Sequence, residues 1–395
     1  MSSKYVLVIN CGSSSVKFAV FEINSEHHIY HGLVDNINTD SCHLSFSHQN
    51  SIEGYHIPNA TIEEALKKII AIIKNDSAVK KGLTAIGHRV VHGGLHFKKA
   101  TKIDQNNILK LKEISSLAPL HNPSNIAGIE TCLTAFPKIK NIAVFDTAFH
   151  SSIPEIAATY AIDRDIATKY GIKKYGFHGI SHNFISQKFT EITQNMKPNL
   201  ISIHLGNGAS ICAIKAGESV DTSMGFTPLA GLVMGTRSGD IDPGIHQYLA
   251  SKLNISLAEI TDTLNKRSGL RALSRISHDM RKLEAAYVAG DKDAKLAIDI
   301  FCYSIAKYIA SYMVPLQNCD GIIFTGGIGE NSALIRFLVI QHLKFLSLNI
   351  SEKDNNHNGA CSNHIISQET SAIPVYVFKT NEELMIAKLA VNCKK

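Results

Sequence analysis

The sequence has eight cysteines, at positions 11, 42, 132, 212, 302, 319, 361 and 393, and no two of them form a C-x-x-C. A zinc cluster or a thioredoxin-like pair needs that spacing, so the cysteines read as reduced, buried, small hydrophobes. The nineteen histidines include no H-E-x-x-H. There is no G-x-x-x-x-G-K-[ST] and no G-x-G-x-x-G opening a helix, which excludes a P-loop and the common dinucleotide fingerprint. No stretch approaches the roughly 18 apolar residues of a membrane span. The apolar run in "MSSKYVLVIN" is shorter than a signal-peptide core. A cytoplasmic protein with no membrane partner is expected. The net charge is +6, but basic residues come only in pairs such as Lys67-Lys68 and Lys98-Lys99. That argues against nucleic acid and suits small anionic substrates.

Hydrophobic residues make up 45% of the 395, and charged residues 19%, enough core for one large or two ordinary domains. The most informative pattern is an internal echo. "VLVINCGSSSVKFAVF" can be laid over "LISIHLGNGASICAIK" with Gly12 on Gly206 and no gap. Each copy reads strand, small-residue turn, strand. The remainder alternates short apolar runs with helical patterns, so the fold class is α/β, with a duplicated domain and a cleft between the halves.

Helix signals punctuate the chain. Thr61 with Glu64, and Ser256 with Glu259, read as capping boxes. "DAKLAIDIFCYSIAKYIASYMV" reads as a buried helix ending before Pro315. In "TNEELMIAKLAV" a helix is expected to start after Thr380, with Thr380 and Glu383 as its capping box and Glu382 left free. Residues 350 to 371, polar and histidine-rich, read as an exposed loop region.

Three turns share one logic, because glycine allows close backbone approach and successive N–H groups favour anions. "NCGSSSVK" adds hydroxyls and a cation to its glycine, "HLGNG" offers two glycines, and "GGIGEN" follows a strand. Together they suggest a nucleotide held across a cleft. Polar residues then recur in apolar settings: Arg89 in "AIGHRVVHGG", Asp146 in "VFDTAFH", His178 in "YGFHGISH" and Arg237 in "MGTRSGDIDPG". Taken singly, these read as a structural ion pair, a cap, a satisfied core histidine and a loop arginine. Taken together with Lys17, they are what phosphoryl transfer needs, since charge on the moving group must be neutralised.

The sequence resembles the acetokinase family, within the larger group that includes actin, hexokinase and the sugar kinases. The matching stretches are "VINCGSSSVKF", "GHRVVHGG", "APLHNPSN", "VFDTAFH", "YGFHGISH", "HLGNGAS", "DTSMGFTPL", "MGTRSGDIDPG", "FTGGIGENS" and "TNEEL", in family order along nearly the whole chain. The resemblance implies two actin-like (ribonuclease H-like) domains, 1–148 plus 382–395 and 149–381, with the last helix returning to the first domain. It implies a homodimer. The implied reaction is reversible phosphoryl transfer from ATP to acetate, giving ADP and acetyl phosphate, with Mg2+ or Mn2+ in its place.

By the same resemblance, Asn10 and Glu382 would serve the metal, and Ser13, Ser15 and Lys17 the phosphates. Arg89 would hold the carboxylate, Asp146 would be the essential acidic residue, and His178 and Arg237 would stabilise the transferring phosphoryl. The nucleotide would lie along His204, Leu205, Gly206, Asn207 and Gly208, then Asp279, Met280 and Arg281, then Gly327, Ile328, Gly329, Glu330 and Asn331. Val91, Leu120, Phe177 and Pro228 would enclose the acetate methyl. Ala230, Arg271 and His278 depart from the family pattern. A propionate kinase and, from another class, an actin-like ATPase are the competing readings, and a phosphoenzyme on Asp146 or Glu382 is a mechanistic alternative to direct transfer.

Overall fold

Both copies of the echo fold as antiparallel hairpins. β1 (Tyr5–Cys11) pairs with β2 (Val16–Glu22), Cys11 opposite Val16. β9 (Leu200–Leu205) pairs with β10 (Ala209–Lys215), Leu205 opposite Ala209. The first turn closes with the Gly12 N–H donating to Ser15 O at 2.7 Å, the second with the Gly206 N–H donating to Gly208 O at 3.0 Å. The computed structural model describes residues 3–23, 25, 27–48 and 51–393. Its contacts divide the chain into two units, Met1–Phe149 with Asn381–Lys395, and His150–Thr380.

In unit 1, β3 (His28–Asp35), β4 (His43–His48), β5 (Ser51–His56), β6 (Leu83–Val90), β7 (Thr101–Lys102) and β8 (Lys140–Phe145) join β1 and β2. The eight-stranded sheet runs β5-β4-β3-β2-β1-β6-β8-β7. In unit 2, β11 (Glu218–Thr222), β12 (Gly321–Thr325) and β13 (Val375–Val377) complete a five-stranded sheet in the order β11-β10-β9-β12-β13. The segment β3-β2-β1-β6-β8 and the whole second sheet share one plan. Three antiparallel strands are followed by two parallel steps, β1 to β6 to β8 and β9 to β12 to β13. The central strands are buried on both faces, as parallel strands are: Val6 to Ile9 in β1 and all of β9.

Helices cover the first sheet. Ile62–Asn75 opens with the Thr61–Glu64 capping box and buries Ala65, Leu66, Ile69, Ile70 and Ile73. Glu382–Asn392 lies against β6, where a Cβ on Gly87 would come within 2.7 Å of Ile386, so glycine permits the close approach. In unit 2, Leu257–Lys266 opens with the Ser256–Glu259 capping box. Against the expectation that no stretch approaches a membrane span, Lys292–Leu316 is, among the described residues, the one helix long and apolar enough to cross a membrane. Its Ile298, Phe301, Cys302, Ile305 and Ile309 are fully buried in that unit's core.

Four further expectations are corrected. The long helix runs through Pro315 to Leu316. A proline in the last turn is tolerable there, and its carbonyl accepts from Lys215 Nζ at 3.2 Å. The C-terminal helix is capped by Asn381, whose Oδ1 accepts the Leu384 N–H at 2.9 Å, and not by a Thr380–Glu383 box. Thr380 is engaged elsewhere, its Oγ1 2.8 Å from Ser181 Oγ and its N–H on Glu330 at 3.0 Å. Residues 350 to 371 are not one exposed loop. They contain the helix Glu352–Asn356 and the bridges Ile350–Ser367 and Ile365–Tyr376. The cause is Arg336, fully buried, which donates to Asn355 Oδ1 and O and to Asn358 Oδ1 at 2.6–2.8 Å. Finally, Cys361 is exposed and Cys319 and Cys393 half-buried; the other five cysteines are buried.

Candidate functional site

In unit 1 the carboxyl ends of three neighbouring parallel strands bring together Asn10 on β1, Arg89 on β6 and Asp146 just beyond β8. Such ends are where open α/β sheets bind ligands. Arg89 makes a two-pronged ion pair with Asp146, Nε to Oδ1 at 3.0 Å and Nη2 to Oδ2 at 2.6 Å. Its Nη1 reaches toward Asn10 Oδ1 at 3.4 Å. Burial alone would lower the Arg89 pKa, but Asp146, then Glu382 and Glu383, more than offset it and raise it. A guanidinium has five N–H donors, so this fork leaves two aimed at neither neighbour.

The loop beyond β6 is held by two asparagines that the sequence reading passed over. Asn125 Oδ1 accepts the Val91 N–H at 3.0 Å while its Nδ2 donates to Cys11 O at 2.6 Å. Asn122 takes both the N–H and the C=O of His92, at 3.1 and 3.0 Å. Both start the helix Asn122–Ala135 and both are buried. Asn125 thus ties the first glycine turn to the segment after Arg89. The signal was present in "HNPSN", where two amides flank a helix-starting proline. β6 ends at Val90, and Asn125 sets the place of Val91 in the segment beyond it. Val91 is buried and Leu120 is 58% exposed. Ser13 and Lys17 are exposed and Ser15 half-buried, with Lys17 opposite Asn10 in the hairpin register. Glu382 is the first residue of the C-terminal helix.

In unit 2, His178 caps the helix Gly179–Thr193 with a left-handed backbone, φ 57°. For a residue other than glycine this costs on the order of 1–3 kcal/mol. Its ring stacks on His204, centroids 4.4 Å apart. A Cβ on Gly208 would stand 3.2 Å from His178 Nε2 and 3.5 Å from Arg237 Nη1, so these three groups meet at the second glycine turn. Arg237 donates from Nη1 to Pro228 O at 3.1 Å and, among the described residues, makes no ion pair. Burial lowers its pKa. Arg237 is half-buried, and a cation partly withdrawn from water without an anion beside it is a ready site for one. Phe177 is fully buried and Pro228 half-buried.

A cavity of about 700 Å³ in the same unit is lined by Gly206, Asn207, Asp279, Met280, Arg281, Gly327, Ile328 and Asn331, together with His278, Glu284 and Ser332. Asp279 caps the helix Met280–Val288 through the Arg281 N–H and pairs with the Arg281 guanidinium at 3.0 and 2.7 Å, which holds its carboxyl down at about 2. Glu284 and Ser332, absent from the sequence reading, hydrogen-bond each other. The segment after β12 is a short helix, Gly326–Asn331, rather than an open turn. Glu330 turns away from the cavity, its Oε1 accepting the N–H groups of Gly326 and Thr380. Gly329 gives its carbonyl to the buried Arg336 at 2.9 Å. Leu205 is fully buried in β9, and His204 Nδ1 lies 2.9 Å from Ser181 Oγ.

The model of the acetokinase family matches residues 5–388. The acetate kinase of Shewanella oneidensis is 42% identical over 399 residues, covering 99% of this chain and 99% of that protein. Among solved structures, a propionate kinase from Francisella tularensis superposes with a TM-score of 0.95 at 42% identity, over 99% of this chain and 100% of that one. The Porphyromonas gingivalis acetate kinase gives 0.90 at 36% identity, over 98% and 99%.

Proposed function

The chain belongs to the acetokinase family, and on that premise we propose that it is an acetate kinase, moving the γ-phosphoryl of ATP to acetate and back. The observation that carries the assignment is Arg89, a guanidinium locked by Asp146 with two donors still to give. Those donors match a small carboxylate, and Asp146 fixes the fork without touching the substrate. An acetate oxygen attacks the γ-phosphorus in line. The bond from phosphorus to the β,γ-bridging oxygen breaks, and ADP leaves with that electron pair. No proton has to move. Arg237, half-buried without a carboxylate, supplies positive charge, and His178 beside it a hydrogen bond, to the equatorial oxygens of the moving group. The cavity walled by Asp279, Arg281 and Asn331 takes the nucleotide.

Asn10 and Glu382 offer hard oxygen donors of the kind magnesium takes, and would hold it; when bound, it neutralises phosphate charge. The homodimer, the cytoplasmic location, and the roles of Ser13, Ser15 and Lys17 at the phosphates are part of the same proposal. So are the roles of Val91, Leu120, Phe177 and Pro228 toward the acetate methyl. The likeness to a propionate kinase keeps that substrate as the second reading. Hydroxylamine trapping tests the assignment: with ATP and acetate, acetyl hydroxamate should accumulate. Inversion at a chiral γ-phosphorus should accompany it, while retention would point to a phosphoenzyme on Asp146 or Glu382.

A further inference from the structure

We propose that His150 is a positioning residue that fixes the peptide ahead of His178 and so aims the His178 imidazole. This rests on the reading that His178 serves phosphoryl transfer. The left-handed backbone of His178 is not self-stabilising, so the chain on its N-terminal side must be held. That hold is visible. His150 Nε2 lies 3.0 Å from the Phe177 carbonyl oxygen, the acceptor of the very peptide that leads into His178. A carbonyl only accepts, so Nε2 carries the proton. Nδ1 is then bare, and Ser219 Oγ, 2.8 Å away, donates to it and sets the tautomer.

The ring itself is wedged. A Cβ on Gly176 would lie 2.6 Å from His150 Cδ2 and 2.5 Å from Thr222 Cγ2, so Gly176, at φ +73°, exists to let the imidazole seat against the backbone. Phe177 is buried as well, and the His178 carbonyl starts the helix by accepting the His182 N–H at 3.0 Å. Residues 176 to 178 are therefore gripped at backbone, side chain and carbonyl. His150 is 2% exposed and is held neutral by burial, with a pKa pushed down to about 4. Buried in this way, it acts on the reaction through the backbone of its neighbour.

His150→Phe keeps a ring and removes the donor. His150→Gln can return an amide N–H near the place of Nε2. Misplacing a group that acts on the transition state by about 1 Å costs on the order of 100-fold, so His150→Phe should lower kcat by roughly 10–100-fold, with the KM values for acetate and ATP within about threefold of wild type. His150→Gln should recover most of that loss. In a double-mutant cycle, His150→Phe should add nothing beyond about twofold once His178→Ala is present. A loss that multiplies fully with that of His178→Ala would overturn the proposal, as would wild-type kcat in His150→Phe. Wild-type turnover in His178→Ala would instead remove the role assigned to His178, and the positioning with it. If His150→Phe does not fold, Ser219→Ala decides. Freeing the tautomer should lower kcat about 3–10-fold, but only while His178 is present. An unchanged kcat in Ser219→Ala would overturn the proposal.

Discussion

Arg237→Met should lose nearly all turnover while the fold stays as stable as before. The stability side follows from what Arg237 touches. Its polar contacts are the Pro228 carbonyl at 3.1 Å and the Met234 sulfur at 3.8 Å. Losing a hydrogen bond from a charged donor costs about 1.5–3 kcal/mol. Against that, removing a half-buried cation with no anion beside it recovers part of its desolvation penalty. Methionine refills much of the space with a flexible, apolar side chain. The two effects oppose each other, so the change in unfolding free energy should lie within about 2 kcal/mol of zero. The catalytic side does not cancel. Removing an arginine that matches charge on the transferring phosphoryl costs roughly 10³–10⁵ in rate, or about 4–7 kcal/mol of barrier. Urea unfolding and hydroxamate initial rates measure the two quantities on one preparation. Arg237→Lys should recover only part, because an ammonium lacks the planar fork. A folded Arg237→Met within tenfold of wild-type kcat would refute the assignment, and a loss of more than about 4 kcal/mol in stability would mark Arg237 as a structural residue.

Asn381→Ala should cost about 1 kcal/mol and deprotect the Leu384 amide to hydrogen exchange, with Thr380→Ala leaving that amide unchanged; a Leu384 amide untouched by Asn381→Ala, with the Glu383 amide deprotected by Thr380→Ala, would mean the helix starts one residue earlier. Stability should also fall with acid. His88 and His150 are buried with pKa values near 4, against an ordinary 6.5, and burial lowers that of His182 as well. Below pH 6.5 the unfolded chain takes up protons that the folded one refuses, so the stabilisation present above pH 6.5 is lost as pH falls toward 4. Going from pH 7 to pH 5 should cost about 2 kcal/mol for each of His88 and His150 in urea melts, and equal stability at the two pH values would contradict their burial as neutral groups. Val91→Ala should bring propionate closer to acetate mainly by improving propionate, as read by kcat/KM, and an unchanged ratio would remove Val91 from the pocket wall.

The two hairpins of the echo were legible because each is local, two apolar runs around a turn of a few small residues. Their extension into a shared five-strand plan was not. It depends on parallel pairing of β1 with β6 and of β9 with β12, partners far apart in sequence, and no local signal encodes that register. Arg89, Asp146, His178 and Arg237 stood out because a polar side chain in an apolar run, or a lone arginine in a loop of small residues, is conspicuous. Asn122, Asn125 and His150 did not, because an asparagine near a proline reads as a turn and a histidine among phenylalanines as core. Their work is done by hydrogen bonds to backbone groups distant in sequence. The caps show the same limit. Thr61 and Ser256 cap as their patterns predict, but at 380–381 two capping residues are adjacent, and the bond from Thr380 to Ser181 decides between them. In the same way, residues 350 to 371 look like a solvated loop until Arg336, a lone arginine in an apolar helix, is seen to need their amides and carbonyls.

The most direct test measures acyl phosphate formation from ATP with acetate, propionate, butyrate and no acid, each trapped with hydroxylamine. An acetate kinase whose Arg89 holds the carboxylate and whose selectivity comes only from a methyl pocket should prefer acetate over propionate by roughly 10–200-fold in kcat/KM, use butyrate poorly, and release almost no ADP without an acid. Equal use of acetate and propionate would move the assignment to a propionate kinase. ADP release that does not depend on any carboxylate would contradict phosphoryl transfer to an acid altogether.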